Sequence, residues 1–161
     1  MRIRLASAAV LAAAASITPA APASAGTNAH VPPGTYEIVD GEGLCLRGEG
    51  YFNSKVLSGP CDTRWRVTLL DGGENVMIQH AVSGNCVSVA LERIYPPMVA
   101  TLPCDPAPER NWALRDVGDG QVAITRGFDS VTHSAPGRPA LLLGNSPDLS
   151  NQQRWTFRPT G

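Results

Sequence analysis

Two carboxylates, Asp62 and Asp105, stand in matching Pro-Cys-Asp triplets. Acidic groups about 5 to 10 Å apart are what acid–base cleavage of a glycosidic bond requires. A short acidic residue after a Pro-Cys step also closes a turn by hydrogen bonding to the backbone, and its recurrence at an equivalent place favours that structural use. His30, His80 and His133 are too scattered to pair as ligands or catalysts. The chain has no His-Glu-x-x-His helix motif, no Gly-x-Ser-x-Gly elbow and no phosphate-cradling glycine loop. A binding protein rather than an enzyme is therefore expected, with no metal and no cofactor.

The elements that must position any site come from a repeat. Cys45, Val56-Leu57, Cys61 and Trp65 are followed by Cys86, Val99, Cys104 and Trp112. A third copy without cysteine runs from Ser130 through Leu141-Leu142-Leu143 to Trp155. The three tryptophans are 47 and 43 residues apart, a period that speaks for repeated supersecondary units. Each copy opens on an alternating apolar stretch (Tyr36-Glu37-Ile38, Val76-Met77-Ile78, Val122-Ala123-Ile124), and its Trp is followed by alternation again. This pattern predicts about four short strands per copy. Turn signals such as Asp40-Gly41-Glu42-Gly43, Asp71-Gly72-Gly73 and Ser83-Gly84-Asn85 separate the strands. No stretch of the mature chain sustains a helical period.

Three four-stranded copies, at about 32–72, 73–118 and 119–161, suit an all-β single domain: a β-trefoil, a closed barrel capped by a triplet of hairpins with pseudo-threefold symmetry. Trp65, Trp112 and Trp155 are then core anchors beside Ile38, Ile78 and Ile124. The repeat also selects the cysteine pairing, Cys45 with Cys61 and Cys86 with Cys104, over the two other pairings that four cysteines allow.

Met1-Arg2-Ile3-Arg4, the apolar run Leu5 to Ile17 and Ala23-Ser24-Ala25 have the order of a secretory signal peptide over 1–25. The apolar run is too short to cross a bilayer. Cleavage after Ala25 would leave a secreted, extracellular domain over 26–161, in keeping with disulfides. The formal net charge of the whole chain is −1, and the leader takes two arginines with it. This mild acidity removes the basis for general nucleic-acid binding. A soluble monomer with no membrane partner is expected.

The Cys-Leu step, the mid-copy Val-Leu, Pro-Cys-Asp and Gln153-Arg154-Trp155 together resemble the ricin B-chain lectin repeat. That resemblance implies carbohydrate binding through an acidic residue two places after each copy's first Cys. Those places hold Arg47, Ser88 and Thr132 here, a departure from the lectin pattern. Tyr51, Phe52 and Tyr95 remain available as stacking surfaces for a glycan.

Pro32-Pro33-Gly34-Thr35-Tyr36-Glu37-Ile38, the stretch from Glu92 to Trp112 and the ending from Gln152 to Pro159 are similar to the β-trefoil serine peptidase inhibitors first known from mushrooms. This second resemblance implies an exposed loop in the first copy whose basic residue enters the acidic pocket of an extracellular trypsin-like serine peptidase. Lys55 is the matching residue, flanked by Ser54 and Val56, with Arg93-Ile94 as a second candidate. Peptidase inhibition is the leading expectation and glycan binding the alternative.

Overall fold

The computed structural model describes residues 28–105, 107–144 and 149–161; the expected signal peptide lies outside them. The strands are β1 (Gly34–Asp40), β2 (Cys45–Arg47), β3 (Ser54–Lys55), β4 (Leu57–Gly59), β5 (Trp65–Leu70), β6 (Asn75–His80), β7 (Cys86–Val89), β8 (Val99–Leu102), β9 (Ala113–Asp116), β10 (Val122–Arg126), β11 (Asp129–Thr132), β12 (Leu141–Gly144) and β13 (Trp155–Pro159). Period-two alternation decides which faces turn inward. In β5, Trp65 and Val67 are buried while Arg66 and Thr68 are exposed; in β6, Val76, Ile78 and His80 are the buried set.

Six strands close on themselves. β13 pairs with β1, β1 with β5, β5 with β6, β9 with β10 and β10 with β13. The gap between β6 and β9 is bridged by Val76 and Trp112, whose backbones exchange hydrogen bonds of 2.8 and 3.0 Å. Three hairpins, β2/β4, β7/β8 and β11/β12, cap the barrel. They meet in a ring: Val56 N–H donates to the Val99 carbonyl (2.9 Å), Val99 N–H to Ala140 (2.9 Å) and Ala140 N–H to Val56 (2.8 Å). All three residues are fully buried, so this ring marks the pseudo-threefold axis. The chain is a β-trefoil.

The tryptophans repeat one contact three times. Each indole is fully buried and donates Nε1–H to the carbonyl one residue after the first Cys position: Trp65 to Leu46 (2.9 Å), Trp112 to Val87 (3.0 Å) and Trp155 to Val131 (2.9 Å). Ile38, Ile78 and Ile124 join the same core. A buried indole needs such a partner, and supplying it from the cap stitches hairpin to barrel.

Two disulfides link Cys45 to Cys61 and Cys86 to Cys104, with Cα separations of 5.0 and 5.1 Å. They close loops of 16 and 18 residues, each stabilising by roughly 3 kcal/mol in the chain-entropy model. Full reduction is expected to lower the free energy of unfolding by several kcal/mol, read as a drop in the urea midpoint. An unchanged midpoint would show that the bridges constrain little. In the third copy, which has no cysteine, Gln153 Nε2–H donates to Thr132 Oγ1 (3.0 Å) within the interior.

Candidate functional site

The structure corrects the expected peptidase-binding segment. Val56 belongs to the axial ring and is fully buried, so it cannot enter a partner's cleft. Ser54 and Lys55 form β3, which crosses from the first copy to pair with Thr101 and Ala100 of β8. Ser54 Oγ lies 2.9 Å from Thr101 Oγ1. Lys55 Nζ is held 2.5 Å from Glu92 Oε1 and also donates to the Asn53 carbonyl (3.3 Å). That hydrogen bond is the main reason the Glu92 carboxyl titrates below its ordinary value. Lys55 is thus a brace between two loops rather than a projecting side chain.

The preceding loop is anchored in the same way. Asn85 Nδ2–H donates to the Gly50 carbonyl at 2.6 Å, and Asn53 Oδ1 accepts the Leu91 N–H at 3.2 Å. Gly50 has φ +73°, and a Cβ there would fall 2.4 Å from both His80 Nδ1 and Ser83 Oγ, so only glycine fits. His80 beneath it is buried and accepts the Ser83 N–H at Nδ1 (3.1 Å). Burial lowers its pKa below the ordinary histidine value, against a smaller opposing effect of the Gly48 backbone. Tyr51 and Phe52 point outward from this loop, as do Arg93, Ile94 and Tyr95 from the next one.

The three places expected to carry a sugar acceptor have different fates. In the first copy Arg47 lies over Gly59, where an added Cβ would meet its Cδ at 2.8 Å, and pairs with Asp62 at 3.1 Å. In the third copy Thr132 is buried and engaged by Gln153. The second copy's place, at Ser88, is fully buried and forms part of the floor of a cleft. The Ser88 hydroxyl donates to the Glu109 carbonyl at 3.3 Å. The cleft measures about 530 Å³ and is lined by Ser88, Leu102, Asp105, Glu109, Arg110 and Arg126, with Leu91 and Arg93 at the loop side. Arg110 is buried and ion-paired with Asp105; Arg126 stands 3.8 Å from Glu109.

Val89 and Arg126 are shared with an adjoining groove of about 450 Å³, where Phe128 and Asp129 form part of the wall. Phe128 is 92% exposed at the tip of the β10–β11 hairpin. Carboxylates that accept hydroxyls, beside an aromatic face that takes an apolar ring surface, are the two things a sugar needs. Sequence reasoning had singled out Asp105 but missed Glu109, Arg110, Arg126 and Phe128. The signal for Phe128 was a large apolar residue in a Gly-Phe-Asp turn, where solvent exposure is otherwise unfavourable. Arg110 stands two residues before Trp112, where the third copy has Gln153.

No family model matches the chain, and no curated protein matches it in sequence. Solved structures match in fold. The designed threefold-symmetric protein ThreeFoil aligns with a TM-score of 0.67 at 16% identity, over 78% of this chain and 99% of its own. The ricin B-like lectin of Macrolepiota procera, solved with lactose, aligns at 0.66 and 19% identity, over 82% of this chain and all of the lectin. The agglutinin of Rhizoctonia solani gives 0.66 and 19%, over 83% and 100%. At these identities the likenesses show the fold alone, and that fold is the β-trefoil.

Proposed function

We propose that this protein is a non-enzymatic carbohydrate-binding β-trefoil acting outside the cell, with its site in the second-copy cleft. The observation that carries the reading is the meeting of that cleft with the Phe128 groove: Asp105, Glu109 and Asp129 supply acceptors, and Phe128 an exposed ring. Two disulfides fit an oxidising compartment, and lactose in the Macrolepiota procera lectin structure supports the ligand class. Peptidase inhibition loses its leading place because Lys55 is ion-paired and Val56 is interior. What remains of that reading rests on Arg93, exposed in a loop whose base is closed by the Ala90 N–H to Met98 carbonyl bond (2.8 Å).

The test is a glycan array followed by calorimetry on the best ligand, with the same protein assayed for inhibition of trypsin. Saturable glycan binding that Phe128→Ala weakens about tenfold or more, equivalent to about 1.4 kcal/mol, is the expected result. Binding untouched by Phe128→Ala would move the site elsewhere. No glycan binding combined with trypsin inhibition abolished by Arg93→Ala would restore the inhibitor reading.

A further inference from the structure

The arginines of the cleft have capacity that the protein does not use. Arg110 is committed to Asp105. Arg126 is not so fixed: its Nη2 lies 3.8 Å from Glu109 Oε1, beyond hydrogen-bond length, with 33% of the side chain exposed. Arg93 lines the same cleft, is exposed, and has no ion-pair partner among the described residues. A guanidinium offers five N–H donors and no acceptor. A neutral sugar hydroxyl can accept one such N–H, whereas an anion with two oxygens side by side takes two parallel N–H bonds from one fork and gains the charge attraction as well.

The surroundings strengthen this preference. Val89, Ala90, Leu91, Leu102 and Ala107 form the apolar part of the wall, a surface against which the carbon skeleton of a sugar can lie while its anionic group meets an arginine. Both carboxylates on the wall already face an arginine, which leaves Arg93 to meet an incoming anion. The chain as a whole carries a formal charge of −1. Attraction to an acidic ligand is therefore local to this cleft rather than a property of the whole surface.

Resting on the carbohydrate reading, we infer that the second-copy cleft selects a sugar bearing an anionic substituent, a carboxylate or a sulfate ester, through Arg93 and Arg126. The probes are a trigalacturonate, a sulfated galactose trisaccharide and neutral galactotriose, titrated calorimetrically into the full chain at low salt and again at 0.5 M salt. At least one acidic probe is expected to bind ten times or more tighter than the neutral one, and to lose most of that margin at high salt. Which acidic arm responds separates carboxylate from sulfate. Arg93→Gln and Arg126→Gln, both checked for an unchanged fold by circular dichroism, are each expected to reduce the margin between acidic and neutral probes at least threefold. Equal affinity for neutral and acidic probes, or a margin that survives both substitutions, overturns this inference and leaves carbohydrate binding standing. Failure of every probe together with a blank glycan array overturns both.

Discussion

Trp112→Ala is expected to lower the unfolding free energy by roughly 3 to 5 kcal/mol from lost packing, with about 1 to 3 kcal/mol more because the Val87 carbonyl loses its donor in the interior. Trp112 is fully buried, its indole reaches from barrel to cap, and its own backbone forms the Val76 bridge that closes the barrel. Against a total stability of about 5 to 15 kcal/mol for an ordinary domain, this single change brings the chain close to unfolding. Trp112→Phe keeps most of the volume and removes only the donor, so its smaller loss measures the hydrogen bond. Pseudo-threefold equivalence adds a sharper demand. Trp65→Ala and Trp155→Ala make the same contact in their own copies and should cost the same within about 1 kcal/mol. Urea denaturation followed by two probes, to verify a single transition, gives the values. A cost below about 1 kcal/mol for any of the three would contradict the core assignment.

The sequence made the repeated parts legible because each is a local pattern. Alternation marked β1, β6 and β10, and the tryptophan period marked the copies. The matching cysteine positions marked the pairing seen in the structure. What could not be read locally is what breaks the symmetry. β3 pairs with β8 across two copies, and nothing in Ser54-Lys55-Val56 announces that Ser54 will meet Thr101, 47 residues away, and Lys55 will meet Ala100, 45 residues away. A basic residue after a Gly-rich loop therefore read as exposed, when its side chain braces Glu92 and its neighbour Val56 closes the axial ring.

The candidate site was half legible for a related reason. The place two residues after each first Cys was identified, and its occupants Arg47, Ser88 and Thr132 spoke against an acidic acceptor there. Sequence alone does not show that Arg47 folds over Gly59, that Thr132 is engaged by Gln153, or that Ser88 is left beside an open cleft. The acidic groups of that cleft, Asp105 and Glu109, come from the segment between β8 and β9, and Phe128 comes from the next copy. Their convergence is a product of barrel closure, which no single copy encodes.

The contact between Asp40 and His133 carries the other large expected effect. Asp40 ends β1 and His133 follows β11, so the pair ties the first copy to the third. His133 Nδ1 lies 2.5 Å from Asp40 Oδ2, with side-chain exposures of 1% and 0%, and neither atom has a further hydrogen-bond partner among the described residues. The other carboxylate oxygen accepts the N–H groups of Glu42 and Leu44, each at 2.9 Å, and so shapes the turn between β1 and β2. Removing one member leaves the other's polar atom facing an interior gap without solvent, a cost of roughly 1 to 3 kcal/mol for a buried unsatisfied group. His133→Ala is expected to lose that amount by leaving the Asp40 carboxylate unpaired, and Asp40→Ala to lose at least as much because two turn donors are orphaned with the histidine. The double variant should cost distinctly less than the sum of the two, since the stranded partner is then gone as well. Denaturant titrations of the four proteins at neutral pH give the coupling. Strict additivity would mean that the pair does not interact despite its separation, and a loss below about 1 kcal/mol in His133→Ala would show that the interior there accommodates a lone carboxylate.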